Sequence, residues 1–493
     1  MIRRFVAALL VVPTLLGAQS QQEFAARRAA VVAGMPDGAL VALGAHEPAQ
    51  DYLGFYQSPS FYYLTGFEEP GAALVVVKQG GQVSSTMFVQ PRLPSREVWT
   101  GARLGVEGIA KLTGMKGRNA DELPKVLDSL AAAGVAMAVV GDLGQSNEES
   151  ASTLMSARSP DAQVFDRLKA KYAGLKVTPF NDVVERARGK KSEAELRYIR
   201  QAVDITVLAH REAMAALEPG MNEFELQALI EYTFRRNGAD RPSFSTIVGS
   251  GPNSTTLHYN ADDRFIEAND VVVMDIGASY KGYAADVTRT IPASGKFSPQ
   301  QRAIYEIVRA AQAAAERQAK VGANARLMDD SSRAVIAAGL ARLGLIESPT
   351  ATFDCAVGET PRQCPQHALY YMHGLGHGIG LEVHDPEQYY FTNVIAPGSA
   401  FTIEPGIYVR EHVLEEMPDS PRNKEVSSKL RAAVNTYRNI GVRIEDDYIV
   451  TDRGVEWISR APREIDEIEA AMRGSYSGPA KRDPSLVERY RGQ

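Results

Sequence analysis

Five side chains in the C-terminal half of the sequence have the types and settings of ligands to hard cations: Asp275, Asp286, His377, Glu404 and Glu445. Asp275 ends the apolar run Val271-Val-Val-Met274, and Asp286 follows across the predicted turn Tyr280-Lys-Gly-Tyr283. A hairpin there brings the two carboxylates near each other. His377 stands in the glycine-rich run His373-Gly-Leu-Gly-His377-Gly-Ile-Gly380, Glu404 in Thr402-Ile-Glu-Pro-Gly406, and Glu445 in Gly441-Val-Arg-Ile-Glu-Asp-Asp447. A charge at the end of a buried apolar strand is costly unless it is paired, and a cation can hold it there. Four carboxylates and one imidazole make an oxygen-rich set that two divalent ions can share. Such donors favour Mn2+, with Co2+, Fe2+ or Zn2+ as alternatives. Two ions about 3.5–4 Å apart activate a water and polarise a carbonyl. Singly, each residue has a plainer reading: a strand-end or turn carboxylate, a satisfied histidine in a glycine loop, an acidic corner at residues 445–447. Their ordered combination favours the metal.

The elements that must position these residues are readable nearby. Ser192 with Glu195, and Asn222 with Glu225, have the spacing of capping boxes, so helices are predicted from 192 to about 217 and from 222 to 238. Ser298-Pro299 opens a third helix ending near Gly322, and a fourth covers roughly residues 327–343. Strand-like runs lie at 271–275, 284–291, 400–404 and 442–450. Paired helices with antiparallel-looking strands predict an α+β domain. Upstream, the apolar runs 74–77 and 135–140 read as buried strands flanking a helix at 121–133, which predicts a mixed α/β domain. The polar segment Ala187-Arg-Gly-Lys-Lys191 marks the expected boundary. The expected organisation is therefore a leader at 1–20, a first domain at 21–188, a second at 189–473 and a polar tail at 474–493.

A chain of 493 residues exceeds what one core usually supports, which agrees with two domains. A net charge of -6 gives no electrostatic reason to bind nucleic acid or an anionic membrane. Arg3 and Arg4 precede the apolar run 5–16, with small residues after it, which is the order of a secretory signal peptide. That run is too short to span a bilayer, so export to the periplasm or exterior is expected without stable membrane insertion. Cys355 and Cys364, the only cysteines, read as a disulfide closing a short loop, as a pair of free thiols or as half of a metal site lacking partners, and the export signal favours the disulfide.

The segments Asp275-Ile-Gly, Tyr283-Ala-Ala-Asp286, His373-Gly-Leu-Gly-His377, Thr402-Ile-Glu404-Pro-Gly and Arg443-Ile-Glu445-Asp, in this order, resemble the pita-bread metallopeptidases, which include aminopeptidase P and prolidase. The resemblance implies a pita-bread catalytic domain with metal ligands at Asp275, Asp286, His377, Glu404 and Glu445. It implies active-site roles for His258, His373, His384 and Arg443, and a proton shuttle at Glu404. Upstream, residues 56–70 and 96–105 resemble the aminopeptidase P N-terminal domain. The family oligomer suggests a homo-oligomer, dimer or tetramer, with Trp99 and Arg103 closing a neighbour's pocket; simple packing is as good a reading for both. The implied activity is release of the N-terminal residue from peptides with proline second. A carboxylate near the cation site is expected to hold the free amine, with Asp262 or Asp263, after His258, as the exposed candidates. A prolidase acting on X-Pro dipeptides is the alternative. A non-catalytic peptide-binding protein on the same fold is the rival from another class, and the retained ligands argue against it. Two segments depart from the pattern, the cysteine loop and the long polar stretch 411–439 between the two glutamates, and the glycine-rich form His373-Gly-Leu-Gly-His377-Gly also resembles prolidases.

Overall fold

The computed structural model describes residues 19–50, 52–144, 158–358, 360–474 and 476–478. Residues 1–18 of the expected leader and 479–493 of the expected tail lie outside these. No described helix is long and apolar enough to cross a membrane. The chain divides into two compact units between Thr178 and Pro179. This lies ten residues before the boundary expected from the polar segment. The helix Asn181–Arg188 belongs to the second unit, where Arg188 is buried.

The first unit is built on a mixed sheet of β1 (Gly38–Leu43), β2 (Ala73–Gln79), β3 (Gln82–Val89), β4 (Lys116–Asn119), β5 (Met137–Val140) and β6 (Val177–Pro179), in the order β4-β3-β2-β1-β5-β6. β2 and β3 are joined through Gly80-Gly81, both with positive φ, which a tight two-residue hairpin requires. Val41, Val75, Phe88 and Val139 from the strands pack with Leu127 and Phe165 from the helices Leu123–Ala132 and Pro160–Lys171. Trp99 is exposed on the helix Pro94–Thr100, and Arg103 is paired with Glu47 at 2.8 Å.

The second unit carries short antiparallel ladders beneath long helices. Its strands are β7 (Arg241–Pro242), β8 (Ile247–Ser250), β9 (Val271–Ile276), β10 (Ala278–Tyr280), β11 (Tyr283–Ala284), β12 (Val287–Pro292), β13 (Thr352–Ala356), β14 (Arg362–Pro365), β15 (Ala400–Ile403), β16 (Gly406–Val409), β17 (Ile440–Arg443), β18 (Asp446–Thr451) and β19 (Gly454–Trp457). They form the sheets β12-β9-β8, β11-β10-β7 and β15-β18-β19 and the pairs β16-β17 and β13-β14. Both predicted capping boxes form, on helices Glu193–Ala216 and Glu223–Arg236. Pro299–Gln318 and Arg326–Arg342 follow, and their apolar faces meet Phe401, Ile403, Tyr448 and Val450 of the β15-β18 ladder.

Two of the predicted strands are interrupted. The run 284–291 breaks at Ala285 and Asp286, and the run 442–450 breaks at Ile444 and Glu445. The polar stretch 411–439 holds a helix, Pro421–Tyr437, started by Ser420 and proline in the first turn. Its first turn binds the β13–β14 hairpin: Asn423 and Ser420 hydrogen-bond Asp354, and Arg422 reaches the Thr352 carbonyl at 3.0 Å. Cys355 and Cys364 are disulfide-bonded across that hairpin, with Cα atoms 5.6 Å apart. The two segments that depart from the family pattern thus pack on each other.

Candidate metal centre

The register of β9 and β12 creates the first half of the centre. Asp275 faces Thr288 across the ladder, and Asp286 lies just before β12. Between them the chain turns through Lys281 and Gly282, both with positive φ, as a two-residue hairpin demands. Glu404 and Glu445 occupy matching gaps. β15 pairs with β18 up to Ile403 opposite Asp446, β16 pairs with β17 from Gly406 opposite Arg443, and the two glutamates fall between these ladders. The Glu445 N–H donates to the Thr288 carbonyl at 3.1 Å, joining this half to β12.

His377 is brought in by the glycine-rich loop. The Thr402 N–H donates to the His377 carbonyl and the Glu404 N–H to the Leu375 carbonyl, both at 2.8 Å, so the loop runs against β15. That approach needs glycine: a Cβ on Gly376 would lie 2.2 Å from the Thr402 carbonyl oxygen.

These side chains line one cavity of about 430 Å³, together with His258, His373, His384, Arg443 and the apolar Phe244, Ile247, Leu257 and Val383. His377 Nδ1 lies 3.1 Å from the Gly378 carbonyl oxygen and must donate to it, which leaves Nε2 with a free lone pair. Nε2 faces Glu404 at 3.4 Å, Asp286 at 3.5 Å and Glu445 at 3.9 Å. Ligand atoms of Asp286, His377 and Glu445 lie within 4.8 Å of one another.

The charge balance fits cations. Asp275 Oδ1, Asp286 Oδ1 and Glu445 Oε1 are buried without a hydrogen-bond partner among the described residues. Burial pushes the Glu445 carboxyl up to about 8, and Asp275 beside it adds to the rise. Burial and then Glu445 push Asp286 and Glu404 well above the usual carboxylate range. His377 is lowered to about 4 by burial and by His384, and His373 to about 4 by burial and by Arg443. The His377 and His373 imidazoles are therefore neutral near pH 7, as a metal ligand must be. Among the described residues the carboxylates crowd together with only one guanidinium, that of Arg443, lining their cavity, so divalent cations would supply the missing positive charge.

Arg443 donates to Asp275 Oδ2 and, at 2.9 Å, to the Tyr408 hydroxyl. The same hydroxyl meets His373 Nε2 at 2.8 Å, so Tyr408 joins His373 to Arg443 and thence to Asp275. Thr288 donates to Glu445 Oε2 at 2.6 Å. The His377 and His384 rings lie 4.1 Å apart. All nine expected site residues therefore line a single cavity. Tyr408 and Thr288 were missed; each is a strand residue whose sequence setting gives no sign of the hydroxyl's role. The amine-binding role expected for Asp262 or Asp263 does not fit. Asp262 is buried and accepts from the Val248 N–H at 2.9 Å, Asp263 accepts from the Tyr259 hydroxyl at 2.7 Å, and neither lines the cavity. Trp99 and Arg103 line a cavity of about 730 Å³ within the first unit.

Comparison with known proteins places both units. Residues 24–138 match the aminopeptidase P N-terminal domain, and residues 197–452 match metallopeptidase family M24. The chain is 32% identical to a Xaa-Pro aminopeptidase of Escherichia coli (strain K12), over 92% of this chain and 98% of that protein. It is also 32% identical to a Xaa-Pro dipeptidase of Homo sapiens, over 90% of this chain and 91% of that protein. Among solved structures, a zinc-substituted E. coli aminopeptidase P in complex with product superposes with a TM-score of 0.76 at 30% identity, covering 92% of this chain and 99% of that one. A proline aminopeptidase P II from Yersinia pestis does so with a TM-score of 0.77 at 30% identity, covering 92% and 100%.

Proposed function

The chain belongs to metallopeptidase family M24, and from that premise we propose that it is a Xaa-Pro aminopeptidase, releasing the first residue of peptides with proline second. The observation that carries the reading is the convergence of five ligand side chains, three of them with orphaned buried oxygens, in one cavity beside His258, His373 and His384. Asp275, Asp286, His377, Glu404 and Glu445 would hold two divalent cations, with Mn2+ preferred for this oxygen-rich set. Bound there, the cations would activate a water and polarise the scissile carbonyl.

The protein's own groups do the rest. His258 and His384 line the cavity as donors for the oxygen that gains charge during attack. Glu404 takes the proton from the attacking water and delivers it to the leaving nitrogen. That delivery matters because the X-Pro nitrogen carries no hydrogen and must gain one to leave as a secondary amine. Tyr408 fixes His373 and Arg443 relative to each other, and Arg443 fixes Asp275.

Substrate length separates this reading from an X-Pro dipeptidase. A dipeptidase needs a cation for the free carboxylate of its substrate. Arg443 is the only lysine or arginine lining the cavity among the described residues, and Asp275 and Tyr408 already occupy it. X-Pro-X tripeptides should therefore be cut at least about tenfold faster in kcat/KM than X-Pro dipeptides with the same first residue, a difference of about 1.4 kcal/mol. A dipeptide preference of that size would overturn the assignment in favour of a dipeptidase. No turnover of either substrate by the Mn2+-loaded protein would favour a binding role.

A further inference from the structure

Asp447 lies two residues beyond Glu445 and is not one of the five ligands, yet its carboxylate is wholly buried against them. Oδ2 accepts from the main-chain N–H of Asp286 at 3.0 Å. Oδ1 has no hydrogen-bond partner among the described residues. The basic groups nearby are spent on its neighbour: Arg289 and Arg463 pair with Asp446 at 2.6 and 2.8 Å. No ion pair to Asp447 forms among the described residues.

The residue is also held firmly in place. Its N–H donates to Ser459 Oγ at 3.0 Å, and its carbonyl accepts from the Ile458 N–H at 3.0 Å. Across the β15–β18 ladder it faces Thr402, whose hydroxyl accepts from the His377 N–H at 3.1 Å. Asp447 thus touches the main chain of one ligand directly and sits opposite the residue that holds another.

A wholly buried carboxyl with one unpartnered oxygen and no ion pair costs the protein stability. Positive charge close by in the working state would offset that cost. We propose that Asp447 is a positioning residue of the cation centre: it holds the Asp286 main chain and places a further negative charge behind the ligands. This rests on the two-cation reading above. It has a consequence of unusual sign. Neutralising Asp447 should weaken cation binding while leaving the cation-free protein at least as stable.

The test uses the full chain as wild type, Asp447→Asn and Asp447→Ala, each stripped of metal. MnCl2 is titrated by calorimetry, and thermal unfolding is followed with and without Mn2+. Asp447→Asn keeps an acceptor for the Asp286 N–H and removes the charge. It should raise the Mn2+ Kd about 10-fold, within the range for groups that support ligands. Its metal-free melting temperature should equal or exceed that of wild type, and its Mn2+-induced rise in melting temperature should shrink. Asp447→Ala also loses the acceptor and should bind Mn2+ more weakly still; if it fails to fold, Asp447→Asn alone decides. Wild-type Mn2+ affinity in Asp447→Asn would overturn the proposal, as would a metal-free form that melts well below wild type. A wild-type protein that binds no Mn2+, Co2+ or Zn2+ would instead overturn the cation reading itself.

Discussion

Arg188 is the sharpest place to test how the histidine loop is held. It ends the helix Asn181–Arg188, is buried, and donates to Asp385 Oδ1 and, at 2.6 Å, to Glu382 Oε2. Asp385 follows His384 directly, and its own N–H donates to the Gly378 carbonyl at 2.8 Å, one residue past His377. Lys191 Nζ lies 3.2 Å from Asp385 Oδ2 and donates to the Pro386 carbonyl at 2.7 Å. In Arg188→Met, Asp385 keeps Lys191 but loses its closer partner. Breaking a buried pair costs about 3–5 kcal/mol, and the surviving lysine places this case near about 3 kcal/mol. Glu382 is half exposed and adds little. At about 2 °C per kcal/mol for a unit of this size, the melting temperature should fall by about 6 °C. The assay is a double-mutant cycle with Asp385→Asn, read by urea and thermal unfolding at fixed Mn2+ and by kcat/KM. The double variant should be more stable than the sum of the single losses predicts by at least about 1 kcal/mol, because the orphaned charge is gone. A loss below about 1 kcal/mol in Arg188→Met, or strict additivity, would refute the reasoning.

The ligand assignment predicts that Asp286→Ala and Glu404→Ala each lower kcat by more than about 1000-fold, and that metal analysis finds fewer ions in Asp286→Ala than in wild type. Full turnover after thorough chelation would falsify the two-cation reading. Reduction of the Cys355–Cys364 bond, or its replacement by Cys355→Ser/Cys364→Ser, should lower unfolding free energy by about 2–3 kcal/mol, as expected for a short closed loop. Urea unfolding with and without reductant checks this, and coincident curves would mean that the hairpin is held by Asp354, Asn423 and Arg422 alone.

Much of the centre was legible because its residues carry local signatures. Asp275 ends an apolar run, His377 sits among glycines, and Glu404 precedes Pro-Gly. The capping boxes at Ser192 and Asn222 likewise act within one helical turn, and they formed as read. What escaped depends on contacts distant in sequence. Ala187-Arg-Gly-Lys-Lys191 reads as a polar linker, yet Arg188 and Lys191 are buried because Asp385, about two hundred residues later, neutralises them. Tyr408, a buried aromatic of β16, carries no local signature, and the pairing with β17 brings its hydroxyl to Arg443. The helix Pro421–Tyr437 lay hidden in a polar stretch because few of its side chains are buried: Asn423, Val426, Leu430 and Val434.

The two strands read as continuous show why the centre sits where it does. A residue inside a ladder has its main chain aligned with the strand by its hydrogen bonds and its side chain committed to one face of the sheet. Asp286, Glu404 and Glu445 all stand where a ladder stops, so their backbones turn away from the strand direction and their carboxylates can meet at a common point. Asp275 alone lies within a strand, and it is the one held by a guanidinium, that of Arg443. An uninterrupted 442–450 strand would carry Glu445 and Asp447 on one face and Asp446 on the other, with no gap opposite Glu404. The break at Ile444 and Glu445 keeps that alternation, with Asp446 on Arg289 and Arg463 and Asp447 on the Asp286 main chain, and adds the gap in which Glu445 stands opposite Glu404. Three consecutive acids, which alone suggest a solvated corner, are thereby divided into a proposed ligand, a buried ion-pair member and an acceptor for the Asp286 N–H.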